Sequence, residues 1–284
     1  ITIHEEKIEF DYILIASGAA SGRNSQKNNV HDINTFLTIS GSELLNRSLE
    51  TIDQEKPYIS VVGGGATGIQ FLFEIAHFIK RKKMECGLRL IHSSERVLQQ
   101  FPEGFSEYTE ARMSNLDIDF QQNTYYQEQA ENSIFLKSKE TEKEFELPSK
   151  ITLLFLGNNP GKRLSANTFG QVIINNQPIR NIFIAGDCSN YDSCGSNTMS
   201  AQSSVRKGRL AACNILRDSS ILKIFEPYLH QDLGYVISLG PKDAVGWLAV
   251  ENNVVGGTPA LLLKETVESQ YDLLLATGID TYLM

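Results

Sequence analysis

The run Tyr58 to Gln70, YISVVGGGATGIQ, constrains this chain more than any other stretch. Tyr58, Ile59, Val61 and Val62 are β-branched or aromatic and follow Pro57, the pattern of a short buried strand. Gly63, Gly65 and Gly68 then stand in G-x-G-x-x-G spacing. Beyond them Ile69, Leu72, Phe73, Ala76 and Ile79 recur near helical spacing, and a second apolar run follows at Leu88–Ile91. Strand, glycine turn, helix and strand in this order form one βαβ unit.

Each glycine has a physical task in such a unit. Gly63 allows the tight turn out of the strand, Gly65 lets a pyrophosphate approach the backbone, and Gly68 lets helix and strand pack closely. Phosphates then meet free N–H groups and the positive end of the helix dipole. The motif in this context predicts dinucleotide binding; the competing reading is a glycine-rich turn in an ordinary α/β unit.

The 284 residues, 41% hydrophobic and 21% charged, suit about two globular domains. A formal net charge of -8 without a basic stripe argues against a nucleic-acid surface and gives little support to a polybasic membrane anchor. No apolar run reaches the ~20 residues of a membrane span. Cys86, Cys188, Cys194 and Cys213 form no C-x-x-C pair and no metal-ligand spacing, so reduced thiols and no metal site are expected. The sequence opens on Ile1 directly in strand-like residues, which reads as a truncated chain.

In order along the chain, Ile1–Phe10 reads as one strand and Asp11–Gly18 as a second. A helix is expected near Ser42–Leu49, and Thr51–Pro57 as a crossing between domains. After the βαβ unit, Phe105–Asn115 reads as a helix. Asp117–Phe120, Ser133–Ser138, Glu144–Leu147 and Ile151–Leu156 read as short strands. Gly157–Gly161 is a glycine and proline loop. Val172–Ile174, Ile182–Ala185 and Tyr235–Leu239 are expected strands, and Thr198–Arg217 contains a long helix. Thr258-Pro259 starts a last helix, with Thr258 as cap and Gly278 as stop. At helical spacing, Leu261, Leu262, Leu263, Val267 and Leu273–Leu275 suit core or dimer packing better than an acceptor or membrane face. His4, His31, His77 and His230 show no partners for a triad or metal site.

These words together resemble the FAD-dependent pyridine nucleotide oxidoreductases with two dinucleotide-binding domains. DYILIASG is similar to that family's strand ending in an Ala-Thr-Gly-type turn, and VVGGGATG to its nicotinamide fingerprint. LLFLGNNPG, NIFIAGDC and AQSSVRKGRLAACNI resemble its Gly-x-x-Pro loop, its second flavin motif and its Ala-Gln helix. Within the class, GYVISLG and AVG resemble the short tail of type II NADH dehydrogenases. Three differences stand out. The family's N-terminal flavin fingerprint would precede Ile1. Gln70 stands where the family usually has Glu. Arg206-Lys207 stands where type II dehydrogenases often carry Gln-Gln.

The resemblance implies an α/β fold: a Rossmann-like NAD(P)-binding domain inserted in an incomplete FAD-binding domain, plus a short α+β C-terminal region. The corresponding boundaries are 1–50 for the first FAD segment and linker, 51–160 for the NAD(P) domain, 161–222 for the second FAD segment and 223–284 for the C-terminal region. It also implies FAD and NAD(P)H as cofactors, with hydride passing from nicotinamide to flavin and electrons onward to an acceptor such as quinone. Gly63, Gly65, Gly68 and Gly157 would serve the nucleotide; Gly186, Asp187, Ala201 and Gln202 would serve the flavin. Asp187 would accept from the ribityl hydroxyls, and the helix at Ala201-Gln202 would face the flavin pyrimidine edge. Gln202 and Gln70 are the candidate catalytic side chains, Gln70 near the expected nicotinamide.

The turn after the second strand, His92-Ser93-Ser94-Glu95-Arg96, places no acid at the strand end. His92, the serines and Arg96 suit a 2′-phosphate, which leans slightly to NADPH; Glu95 as a displaced ribose ligand is the other reading. Two alternatives stay open: a nucleotide-binding regulatory protein with the fold but little turnover, and an NAD(P)H reductase of a small redox protein. The expected setting is cytoplasmic, with peripheral contact at the inner face of a membrane and a homodimer both compatible. Because only half of the flavin contacts would fall within Ile1–Met284, the chain alone is expected to be colourless.

Overall fold

The computed structural model describes residues 2–3, 6–7, 9–19, 29–38, 41, 43, 57–157, 163–220 and 224–279. It opens with the short hairpin β1 (Thr2–Ile3) and β2 (Glu6–Lys7), then β3 (Ile13–Ile15), β4 (Val30–Asp32) and α1 (Ile33–Thr38). The βαβ unit is β5 (Tyr58–Val62), α2 (Ala66–Lys82) and β6 (Gly87–Ile91). Helix α3 (Glu103–Asn115) leads to β7 (Asp119–Gln121), β8 (Thr124–Gln129), β9 (Ser133–Ser138), β10 (Glu144–Pro148) and β11 (Ile151–Leu154). Next come β12 (Leu164–Ala166), β13 (Gln171–Ile174), β14 (Gln177–Ile184), β15 (Ser189–Tyr191) and α4 (Ala201–Ser219). The last elements are β16 (Gly234–Ser238), β17 (Ala244–Leu248), β18 (Val254–Gly256) and α5 (Thr258–Thr277).

Two compact units share these elements, and each is discontinuous in sequence. The first unit is Ile1–Ser21 with Asn158–Asp232; the second is Gly22–Gly157 with Leu233–Leu283. In the second unit five strands lie parallel in the order β4-β11-β5-β6-β7. Strands of such a sheet are buried on both faces, which is why β5 and β6 are nearly continuous in apolar residues. Ile59, Val61, Leu90 and Leu153 of the sheet pack with Ile69, Leu72 and Phe73 of α2, all 0–1% exposed. Truncating Leu72 to Ala would cost about 2–5 kcal/mol. The antiparallel sheet β10-β9-β8 packs Ile134 and Leu136 against Val62 and Ile91. Ile237, Leu239 and Val245 of the C-terminal sheet β16-β17-β18 and its turn enter the same core as Ile59 and Leu72.

The first unit is built on a mixed sheet, β15-β12-β13-β14-β3. Strand β3 pairs parallel with β14, Ile13 against Ile182 and Ile15 against Ile184. Phe183, Ala185 and Ala211 bury the contact between this sheet and α4, with Tyr12 and Ile215 beside them.

Helix ends follow local chemistry. In α2, Lys80, Arg81 and Lys82 fill the last turn, where cations favour the dipole, and Lys83 closes it in the left-handed region at φ 53. Helix α4 starts at Ser200, whose Oγ accepts from Ser203 N–H at 3.0 Å, a cap worth about 1 kcal/mol.

Several expectations need correction. Ile1–Phe10 is not one strand: Thr2–Ile3 and Glu6–Lys7 pair antiparallel as a hairpin. The cap of α5 is Gly257 and not Thr258, which is already helical; Pro259 does sit in the first turn. Helix α5 is not core packing, since Ala260 is its one residue classed as buried, while Leu262 and Leu275 are 63% and 67% exposed. The helix expected near Ser42–Leu49 and the crossing at Thr51–Pro57 fall largely outside the described residues.

Candidate functional site

The glycine turn of the second unit separates two needs. A Cβ on Gly63, whose φ is 113°, would lie 2.1 Å from the Phe155 carbonyl oxygen. On Gly68 it would lie 1.9 Å from the Gly63 carbonyl oxygen. Both glycines are therefore demanded by packing between strand, turn and helix. Gly65 differs: its backbone, φ -80° and ψ 178°, suits any residue. A Cβ there would meet only Gln100 Nε2, at 4.0 Å. The open space in front of Gly65 faces the start of α2, which has no side-chain cap and no acid in its first turn. An anion placed there gains unsatisfied N–H donors and the helix dipole. Gln70 is half-buried in the first two turns of the same helix.

Between these glycines, Gly64 is held from both sides. Its N–H donates to His92 Nδ1 at 3.1 Å, and its carbonyl accepts from Leu98 N–H at 2.8 Å. His92 N–H donates to the Gln121 carbonyl at 3.0 Å, fixing the turn at the end of β6. Burial lowers the His92 pKa below the ordinary histidine value, which keeps the ring neutral and an acceptor. Arg96, in the same turn, donates from one guanidinium nitrogen to Ser106 Oγ at 2.6 Å and from another to the Gln99 carbonyl at 3.5 Å. Gly157, at φ 82°, is exposed with open space around it.

In the first unit, Gly186 adopts φ 72° at the end of β14 and turns the chain into Asp187. Asp187 Oδ1 accepts from Ser204 Oγ at 2.9 Å, which ties this turn to the first turn of α4. Oδ2 of Asp187 accepts nothing among the described residues, so one carboxylate oxygen stands available for a hydroxyl. Ala201 is exposed and Gln202 half-buried at the start of α4.

Sequence reasoning missed two polar clusters here. Asp232 accepts from Ser196 Oγ at 2.8 Å, Thr198 Oγ1 at 2.5 Å and Ser200 Oγ at 2.9 Å, and thus organises the segment entering α4. Burial raises its pKa, but the nearby His230, with Nε2 3.7 Å from Asp232 Oδ1, and bonds from Thr198, Ser196 and Ser200 outweigh that and hold it well below the usual carboxylate range. Lys207 is 1% exposed; its Nζ donates to Asn197 Oδ1 at 3.0 Å and lies 5.0 Å and 5.6 Å from the ring centres of Tyr191 and Tyr228. Burial, with the nearby Arg163 charge, pushes its pKa down to about 8 against the attraction of Asp187 and Asp232. No sequence signal links Asp232 or Tyr228 to a helix that starts near 200.

The site residues thus fall into two sets. Gly63, Gly65, Gly68, Gln70, His92, Arg96 and Gly157 belong to the second unit; Gly186, Asp187, Ala201 and Gln202 belong to the first. The first set fits the diphosphate of a dinucleotide, because a side chain at Gly65 would fill the space the anion needs. The second fits a polyhydroxylated chain, through the open Asp187 oxygen.

A unit with a parallel nucleotide-binding sheet and a unit with a Gly-Asp turn and a capped helix together define a class of two-unit α/β nucleotide-binding proteins. The model of the pyridine nucleotide-disulphide oxidoreductases matches residues 2–208, and the chain belongs to that family. It is 23% identical over 156 residues to the external alternative NAD(P)H-ubiquinone oxidoreductase B2, mitochondrial, of Arabidopsis thaliana. That match covers 48% of this chain and 27% of the plant protein, so the chain spans well under two thirds of this relative. NDH2 of Plasmodium falciparum, solved in complex with NADH, superposes with a TM-score of 0.74 at 16% identity, covering 92% of this chain and 74% of that one. The sulfide:quinone oxidoreductase of Aquifex aeolicus superposes with a TM-score of 0.70 at 18% identity, covering 98% and 72%. At these identities the structures show a shared fold.

Proposed function

We propose that the protein is an FAD-dependent NAD(P)H oxidoreductase that passes electrons to a quinone. The observation that carries this reading is Gly65: open space lies where its side chain would be, at an uncapped helix start, between two glycines that packing requires. Family membership and relatives named for NAD(P)H, NADH or quinone support it. In this reading Gly63–Gly68 hold the nucleotide diphosphate, and the turn from His92 to Arg96 lies at the adenosine ribose. Asp187 and the start of α4 hold the flavin, with Gln70 and Gln202 as the side chains at nicotinamide and flavin.

Bound FAD would supply the redox chemistry, accepting hydride from the nicotinamide and releasing two electrons to the acceptor. The chain's own part is orientation. Ser204 fixes Asp187, Ser200 caps α4, and Asp232 fixes Ser200. The helix start then offers N–H groups to negative charge. Among the described residues no helix is long and apolar enough to cross a membrane. We place the working protein at a membrane surface, where quinone is found; the exposed Leu262, Leu273 and Leu275 of α5 support this. A homodimer belongs to the same reading.

The test is the visible spectrum of the purified full-length protein before and after NADH or NADPH, followed by nucleotide oxidation with and without a short-chain quinone. Flavin bands bleached by nucleotide and restored by quinone support the proposal. A full-length protein that is colourless yet binds nucleotide favours the second reading, a nucleotide-binding regulatory protein, for which Gln70 in place of the family's usual Glu speaks.

A further inference from the structure

We propose that His92 is a positioning residue of the nucleotide site: as a neutral acceptor it locks Gly64, and its protonation opens the phosphate-binding turn. The inference deepens the functional reading and rests on it.

The geometry is specific. His92 Nδ1 accepts the Gly64 N–H at 3.1 Å, so the neutral ring carries its proton on Nε2. The ring also packs flat against the glycine, since a Cβ on Gly64 would lie 2.8 Å from His92 Cδ2 and 2.9 Å from Cγ. The backbone of His92 is itself pinned. Its N–H donates to the Gln121 carbonyl at 3.0 Å, and its carbonyl accepts from Thr124 N–H at 2.9 Å. Leu98 N–H holds the Gly64 carbonyl at 2.8 Å from the other side. The peptide at Gly64 therefore has one orientation, and Gly63 and Gly65 on either side inherit it.

An imidazolium has no acceptor nitrogen. Protonating His92 turns its Nδ1 into a donor facing the Gly64 N–H, so the bond is lost and two like dipoles meet. The turn must then rotate away from the form that cradles a diphosphate. Among the described residues, burial is the one cause acting on the ring, and no charge on the elements around it opposes this switch. Residues 63–67 of the turn and 121–124 of the neighbouring strands contain no titratable side chain. Beyond them, Glu140 accepts from Asn123, and Asp119 is paired with Arg89 at 2.6 Å. On the histidine's own turn Glu95 is exposed, and the Arg96 guanidinium is engaged with Ser106 and Gln99. Burial alone lowers the His92 pKa, and the lock is closed at neutral pH.

This differs from a histidine that binds phosphate as a cation, and the two predict opposite pH dependence. The experiment measures the affinity of the whole chain for ADP-ribose by calorimetry between about pH 5 and pH 8. That probe has a diphosphate and no 2′-phosphate to titrate. In parallel, the Gly64 amide is followed by NMR in nucleotide-free protein. The lock predicts affinity falling roughly three- to tenfold towards acid, the worth of one hydrogen bond, with the Gly64 amide shifting at the same midpoint. His92→Asn supplies an amide oxygen that does not titrate and gives a flat profile; His92→Leu gives a flat profile at lower affinity. Affinity that is flat or rises towards acid in the unaltered protein, or an acid transition that survives in His92→Asn, overturns the proposal. If no form binds ADP-ribose at any pH, the functional reading itself fails, and a Gly64 amide that still titrates with His92 shows which of the two was at fault.

Discussion

Gly68 stands so close to Gly63 that a Cβ on Gly68 would lie 1.9 Å from the Gly63 carbonyl oxygen. The obstacle is backbone and cannot swing aside. Gly68→Ala is expected to destabilise the second unit by about 3 kcal/mol, the upper range for overpacking. Gly65→Ala should change stability by less than about 0.5 kcal/mol, since the backbone there suits any residue and the space is open. The same substitution should weaken nucleotide binding by ~10-fold or more, because the methyl occupies the diphosphate position. Urea unfolding and a nucleotide titration on both variants check this pair; equal binding by Gly65→Ala and wild type would sink the assignment.

Lys207 sets the alkaline behaviour of the first unit. Its pKa is lowered from 10.5 to about 8, so the unfolded chain binds more protons than the folded one between those values. Stability therefore rises with pH across that window, from the charged lysine towards the neutral one. Lys207→Met removes the buried ammonium and should abolish this rise while leaving the fold intact. The readout is the difference in unfolding midpoint between wild type and variant across the window; a difference that stays constant with pH argues against a buried charge.

Asp232 governs the acid side. Its pKa lies below the ordinary 3.8, so its contribution is complete above that value and is lost as pH falls through the folded pKa. Asp232→Ala strips Ser196, Thr198 and Ser200 of their common acceptor and should cost about 3 kcal/mol at neutral pH. The penalty should shrink in strong acid, which acid unfolding curves of the two proteins would show.

Asp187 tests the flavin half separately. Asp187→Ala removes both the Ser204 partner and the open carboxylate oxygen. Flavin retained by the full-length protein should fall at least ~10-fold, while affinity for ADP-ribose, held in the other unit, stays close to wild type. Absorbance at the flavin bands, read beside the nucleotide titration, distinguishes the two effects.

The sequence was most readable where local chemistry and tertiary need coincide. β5, α2 and β6 follow from the β-branched run, the glycines and the 3.6-residue period. Strand β8 carries a weak signal, because TYYQEQ exposes polar residues on an antiparallel sheet and offers little apolar periodicity. The start of α5 misled for a related reason. Thr258-Pro259 is a sound helix signature, but Gly257 at φ 76° ends the preceding strand turn and takes the cap position. Within the site, the glycines were visible as a motif. So was the division of labour among them; the groups that enforce it, Phe155 and the Gln100 side chain, are distant in sequence and were not. His92 was read for its charge; its contact with Gly64 appears only once β6 is laid beside β5.

The pairing of β3 with β14 has a consequence for how the chain acquires its fold. Ile13 and Ile182 are neighbours separated by 169 residues. Val30 pairs with Thr152 across β4 and β11, and once that contact forms, the effective loop between Ile13 and Ile182 shrinks to about 47 residues. The shortcut lowers the entropy of closing the pair by about 1 kcal/mol, so the second unit acts as a template for the first. Yet the core of that second unit includes Ile237, Leu239 and Val245, which leave the ribosome after β14. Each unit is interrupted by the other. Synthesis from the N-terminus therefore keeps β3 from β14 until the residues between them have been made, and this pairing becomes a late event relative to β4 and β11.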